Sequence, residues 1–346
     1  MMHSAHPKIH LTQTPYTPQA WGGDGLMRRF RAHYEAGSHR PFALVDNPRD
    51  ADLIVYCEDY QADEQRYAPR LRAERCVAEF PDRVFVITAE DQPLGFLSGV
   101  YVSLPRARFD AGRHRAGAYF GDINPQIARA EQERHEVTPQ LLFSFVGART
   151  SAVRAALFAQ FAPSPHWQVR ETGNTQFNIN VEDPAKRSGQ DSYLRTMLES
   201  HFVLCPRGYG TASFRLFETM RLGRVPVILA DDWVEPSGPD WSTCAVRVSE
   251  RNLARLPDLL NSRRADATTL GANARRTWES WFAPDVYAGR CLEWIHHLQQ
   301  HRRHDEAAAF RRWPRLIAAA RAQEAGGGRF RRLWRSIRSR LRNPSS

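Results

Sequence analysis

Residues 200–236 read SHFVLCPRGYGTASFRLFETMRLGRVPVILADDWVEP, and the organisation of the rest of the chain follows from how this stretch folds. Residues 201–205 are apolar and rich in β-branched and aromatic side chains, the pattern of a buried strand, and Pro206, Gly208 and Gly210 end it. From Ser213 the apolar positions Phe214, Phe217, Met220 and Leu222 fall near helical spacing, with Gly223 as the stop signal. Val225, Val227, Ile228 and Leu229 form a second buried run that closes at Asp231 and Asp232. Strand, loop, helix and strand in this order make a βαβ unit, whose parallel strands are buried on both faces.

In such a unit a ligand sits at the carboxyl ends of the strands, where the loop meets the helix N-terminus. Arg207 ends the first strand, Thr211 and Ser213 offer hydroxyls for ligand or N-cap, and Arg215 stands in the first helical turn. A cation there opposes the helix dipole, and a bound phosphate resolves the conflict. Glu218, one turn on, is placed for neutral hydroxyls such as those of a ribose. The alternative is a surface salt bridge between Arg215 and Glu218 at i, i+3.

The stretch resembles the C-terminal signature of the exostosin family of glycosyltransferases. The matching residues are Phe202 to Gly208, Ser213, Arg215, Leu216, Glu218, Gly223 and Val225 to Ile228, followed by Asp231 or Asp232 and a proline. The resemblance extends to Asp240-Trp241, to residues 246–250 and back to residues 143–147; it covers the second half of the chain well and the first half thinly. It implies a GT-B fold, two Rossmann-like parallel α/β domains facing each other across a cleft, and transfer of a sugar from a nucleotide donor with inversion.

A chain of 346 residues with 42% hydrophobic content is long enough for two domains with buried cores. The five cysteines, Cys57, Cys76, Cys205, Cys244 and Cys291, are scattered without metal-site or redox spacing, which fits a reducing compartment. Residues 1–11 lack the apolar core of a secretory signal, and no stretch reaches eighteen uninterrupted apolar residues. The resemblance implies an N-terminal membrane anchor in animal and plant members; this chain departs from that pattern, and a cytoplasmic, bacterial-type enzyme is expected.

Strands are predicted at 8–12, 42–45, 50–56, 83–88 and 101–104, with helices over 26–34 and 67–80. Residues 106–115 read as a basic loop and 123–140 as a polar interdomain segment. The pattern restarts at 141–146, followed by Arg149 and Thr150 in a turn that suits a phosphate, a helix capped by Ser151 and running through 161, a strand at 167–171, a polar loop at 172–190 and a helix at 191–199. A strand at 245–248 and helices around 253–260, 270–281 and 285–300 follow. The expected division is an acceptor-side domain at 1–138, a nucleotide-sugar domain at 139–300, a helical extension at 301–325 and a basic tail at 326–346.

On the family resemblance, Arg149, Arg154, Arg207, Gly208, Ser213, Arg215 and Glu218 are the expected donor-binding residues. Negative charge on the leaving diphosphate is then neutralised by arginines and a helix N-terminus, so no metal and no cofactor beyond the donor, a UDP-sugar by expectation, is required. The general base comes from an acid at a strand end of the first domain: Asp24, Glu58, Asp59, Glu90 and Asp91 qualify, with Asp24 favoured for its glycine-flanked loop and Asp91 second. His296, His297, His301 and His304 lie close in sequence on an arginine-rich face, and a metal role is not expected of them.

Seven arginines and no acid lie between residues 326 and 346, and Phe330, Leu333, Trp334, Ile337 and Leu341 form an apolar stripe at helical spacing. That composition suits an amphipathic helix at 329–342 lying on an anionic membrane surface; packing on the protein's own body is the alternative. No nucleic-acid partner is expected. The expected partners are a nucleotide-sugar and a saccharide or glycolipid acceptor, in surface glycan or polysaccharide biosynthesis. The alternative is a catalytically inactive GT-B scaffold, or a glycan- or nucleotide-binding subunit of a polysaccharide assembly complex.

Overall fold

The computed structural model describes residues 6–14, 25–58, 71, 73–121, 124–162, 164–173, 184–309, 311–315 and 318. Two all-parallel sheets organise them. The first holds β1 (Lys8–Thr12), β2 (Ala43–Leu44), β3 (Leu53–Glu58), β4 (Val84–Thr88), β5 (Gly99–Tyr101) and β6 (His114–Ala116), in the order β2-β1-β3-β4-β5-β6. The second holds β7 (Leu141–Gly147), β8 (Trp167–Glu171), β9 (Ser200–Pro206), β10 (Val225–Leu229) and β11 (Val246–Arg247), in the order β11-β10-β9-β7-β8. These are the two parallel α/β domains expected of a GT-B fold.

The helices are α1 (Leu26–Ala36), α2 (Arg75–Glu79) and α3 (Ile127–Glu133), then α4 (Ala152–Gln160), α5 (Pro184–Leu198) and α6 (Phe214–Arg221). They continue with α7 (Leu256–Ser262), α8 (Ala267–Trp281) and α9 (Pro284–Gln300). The stretch that opened the chain's reading is β9, α6 and β10, with β9 and β10 paired in parallel from Phe202 opposite Val225 to Pro206 opposite Leu229. Gly223 ends the helix at φ 66°, a conformation that favours glycine.

Several expectations change. Residues 106–115 are not simply a basic loop: His114 and Ala116 are buried, their strand β6 pairs with β5, and the polar letters of the sequence hid it. The strand expected at 101–104 lies earlier, at Gly99–Tyr101. The polar segment 123–140 contains α3, whose Ile127 and Ala130 are its buried face. Helix α5 starts at Pro184, seven residues before its expected start at 191, because proline is compatible with the first helical position.

The largest apolar core is shared by both domains. It runs from Ile9, Phe30 and Phe85 through Tyr287, Phe282 and Trp278 to Met220 and Val203. Helix α9 makes this continuity, since it follows the second sheet in sequence and packs on α1, β5 and β6 of the first. A second core covers the other face of the second sheet, around Phe143, Leu157 and Leu256. A third covers the other face of the first sheet and is closed by Trp313, whose ring is tilted against Phe96 with centroids 5.2 Å apart. Glu306 is buried between Arg113 and the Ser98 hydroxyl, so the segment after α9 is held on the first domain.

Loops that follow strand ends meet between the sheets. The Ala212 N–H donates to the Ser103 hydroxyl at 3.3 Å, Gln92 Nε2 donates to the Tyr209 carbonyl at 3.4 Å, and Arg106 donates through its backbone and side chain to the carbonyls of Asp232 and Trp233. The carboxyl ends of β4, β5, β9 and β10 therefore face one another. No described helix is long and apolar enough to cross a membrane.

Candidate active site

The site forms where β7, β8 and β9 end. Arg215 is only 2% exposed, although it lies in the first turn of α6. Its Nη2 donates to the Val146 carbonyl at 2.7 Å, and its guanidinium lies 4.6 Å from the Phe145 ring centroid and 5.3 Å from that of Tyr193. Its Nε and Nη1 have no hydrogen-bond partner among the described residues. A buried, unmatched guanidinium donor is costly, and guanidinium nitrogens pair best with anionic oxygens.

Arg154, 7% exposed, lies over the same ring, 5.5 Å from the Phe145 centroid. It donates to the carbonyls of Arg207 at 3.0 Å, Pro206 at 3.2 Å and Ala148 at 3.4 Å, so it ties the β7 loop to the β9 loop. Burial, and then the neighbouring Arg215 charge, push its pKa down to about 9. Two cations thus share one aromatic ring, and each raises the cost of the other's charge.

The loops after these strands also carry buried hydroxyls, of which sequence reading named Thr150, Thr211 and Ser213 and missed Thr172. The side-chain oxygens of Thr150, Thr172, Thr211 and Ser213 are buried and lack a hydrogen-bond partner among the described residues. Ser213 takes the extended cap conformation but its hydroxyl makes no cap bond, contrary to one of the roles expected for it. Thr172 directly follows β8, as Thr150 follows β7, so its position after a strand was the signal that would have found it. Gly208 is close-packed: a Cβ there would stand 3.3 Å from Arg154 Nη2.

Glu218 is 8% exposed, and Tyr193 donates its hydroxyl to Oε2 at 2.6 Å. Burial of both Arg215 and Glu218 rules out a surface salt bridge between them. Arg207 and Arg149 stand apart from the buried pair. Arg207 Nε is bonded to Glu250 at 2.8 Å, and Arg149 is paired with Glu171 at 2.5 Å on the open surface. The structure therefore gathers Arg154, Gly208, Ser213, Arg215 and Glu218 around one point, with Arg149 and Arg207 at its rim.

Of the acids at strand ends in the first domain, Asp24 and Asp59 lie outside the described residues. Glu58 accepts from the backbone and hydroxyl of Thr14, and Glu90 accepts from the Gln92 N–H. Asp91 lies against the second domain. A Cβ on Gly210 would lie 2.5 Å from the Asp91 carbonyl oxygen, so glycine is required for the loops to approach this closely. Burial raises the Asp91 carboxyl above its ordinary value, while Tyr119, donating to Oδ1 at 3.1 Å, and the Arg154 charge pull it back. Among the described residues no group of three His, Cys, Asp or Glu side chains is arranged to hold a metal ion; His297 and His301 stack on each other at 4.0 Å and His304 pairs with Asp110.

Comparison with known proteins finds similarity to one family over part of the chain. The chain is 32% identical to the exostosin-1 homolog of Caenorhabditis elegans over 115 residues, covering 31% of this chain and 30% of that protein. It is 36% identical over 107 residues to a probable glucuronosyltransferase of Oryza sativa subsp. japonica, covering 30% of this chain and 23% of that one. The match thus spans less than a third of these relatives. Among solved structures, the chain is similar to Anabaena HepE in complex with UDP (13% identity, 84% of this chain and 100% of that one, TM-score 0.41). It is also similar to sucrose-phosphate synthase from Thermosynechococcus elongatus (13% identity, 84% and 99%, TM-score 0.44). Residues 100–263, which include Ser103, Tyr119, Arg154, Arg215 and Glu218, match the family profile described as the Exostosin GT47 domain.

Proposed function

We propose that the chain is an inverting glycosyltransferase that moves a sugar from a nucleoside-diphosphate sugar to a hydroxyl of a saccharide or lipid-linked acceptor. The observation that carries this reading is Arg215, buried with two guanidinium nitrogens unmatched among the described residues and sharing the Phe145 ring with Arg154. The acceptor oxygen attacks the anomeric carbon as the bond to the diphosphate breaks, and its proton passes to Asp91. The negative charge that develops on the departing diphosphate is neutralised by Arg154 and Arg215, while Glu218 accepts from ribose hydroxyls. The raised pKa of Asp91 makes it a stronger base than a solvated aspartate.

Because the arginines take the part of a cation, transfer is metal-independent in this reading. UDP-glucuronate is the first donor to try, since several curated relatives are named as probable glucuronosyltransferases. The site would work at the cytoplasmic face of a membrane, in surface glycan or polysaccharide synthesis, with the tail at 329–342 on an anionic leaflet. That tail lies outside the described residues.

Release of free nucleoside diphosphate from a panel of UDP-sugars, with and without EDTA, tests the reaction. Release that persists in EDTA and is lost in Arg215→Ala is expected. Absence of release from every donor would remove the enzymatic reading, and loss of release on chelation would remove metal independence. Flotation with anionic liposomes, comparing the full chain with one ending at residue 325, tests the tail.

A further inference from the structure

Asp91 is reached from both domains by one line of hydrogen bonds. Ala212, in the β9–α6 loop, carries a backbone N–H that can only donate, and it donates to Ser103 Oγ at 3.3 Å. The Ser103 hydroxyl proton is then available to the Tyr119 oxygen, 3.5 Å away, and Tyr119 donates its own proton to Asp91 Oδ1 at 3.1 Å. Each donor points the same way, toward the carboxylate, so each bond polarises the next. The Tyr119 ring also stands edge-on to Phe214, the first residue of α6, with centroids 6.3 Å apart.

We propose that Tyr119 is a positioning residue: it orients Asp91 for proton abstraction and, through Ser103, ties that carboxylate to the donor loop of the second domain. This rests on the reading of Asp91 as the general base. A phenol in this place suits the task because burial keeps it protonated, its pKa being held well above 10.0. The charged group facing Asp91 is Arg154 on α4, and the titratable ones are Tyr119 and the adjoining, buried Glu90; Ser103 and Gly210 carry no charge. Tyr209, across the loop, is exposed, and its carbonyl accepts from Gln92 Nε2. Removing the Tyr119 hydroxyl takes a bond from the charged form of Asp91 and leaves the burial unchanged, so the carboxyl midpoint must rise.

A carboxyl 13C titration of the full chain, labelled at aspartate and assigned with Asp91→Asn, reads this directly. Tyr119→Phe is expected to raise the Asp91 midpoint by about one pH unit, and Ser103→Ala to raise it by less in the same direction. An unmoved midpoint in both variants overturns the inference. If Tyr119→Phe does not fold, Ser103→Ala decides alone: a rise supports the chain of bonds, and an unmoved midpoint overturns it. The titration uses neither donor nor acceptor. Its outcome is therefore separate from loss of transfer in Asp91→Asn, which tests the catalytic reading itself.

Discussion

Arg154 and Arg215 share the ring of Phe145, their guanidinium carbons 5.5 and 4.6 Å from its centroid. The aromatic face offers each cation some compensation, on the order of 2 kcal/mol for a desolvated pair, but it does not cancel their mutual repulsion. The burial of two like charges is therefore electrostatically costly, and the site has a positive potential.

Replacing Arg215 separates binding from folding. Arg215→Met fills similar space without the charge, so its melting temperature is expected to stay level or rise, because an incompletely matched buried charge is removed. UDP affinity measured by calorimetry is expected to fall at least about tenfold, the equivalent of one charge-assisted hydrogen bond. A large drop in melting temperature with UDP binding intact would assign the residue to folding alone.

Glu218→Gln keeps the shape and the bond from Tyr193. If the carboxylate serves ribose hydroxyls, UDP should bind about tenfold more weakly while inorganic pyrophosphate binds as before, since only the nucleoside end is affected. Equal weakening for both ligands would place Glu218 at the phosphates.

His114 gives the fold a pH dependence of its own. Its ring accepts from the Asp110 N–H, lies against the Gly95 carbonyl, and is buried between Tyr101 and Phe109. Burial, and then the Arg113 charge, lower its pKa from 6.5 to about 4. The unfolded chain therefore binds the extra proton between those values. The contribution of His114 is full above about pH 6.5 and is lost as the pH falls toward 4, up to about 3 kcal/mol. Denaturant titrations across that window should show the decline, and His114→Phe should flatten it; an unchanged slope would count against the assignment.

Trp313 is the last large side chain of the third core, buried against Phe96. Trp313→Ala should destabilise the first domain by about 3–5 kcal/mol, measured by chemical denaturation. An effect below about 1 kcal/mol, the scale of a surface substitution, would mean that the segment after α9 does not hold that face.

The strand, loop, helix and strand at 200–236 were legible because their signals are local: an apolar run, glycines after it, helical spacing and a glycine stop. Strand β6 and helix α3 were not, because His114 and Ile127 are buried by partners distant in sequence and their neighbours are polar. The same distinction governs the site. The sequence by itself determined that Arg215 and Glu218 stand at the end of a parallel strand, since the periodicity of one βαβ unit places them there. It could not rank the arginines, because Arg149 and Arg207 differ from Arg154 and Arg215 only in what surrounds them. Tertiary structure decided that, by giving the first two acidic partners, Glu171 and Glu250, and enclosing the other two against Phe145. It also set Asp91 beside Gly210, a contact between two domains that no local pattern encodes.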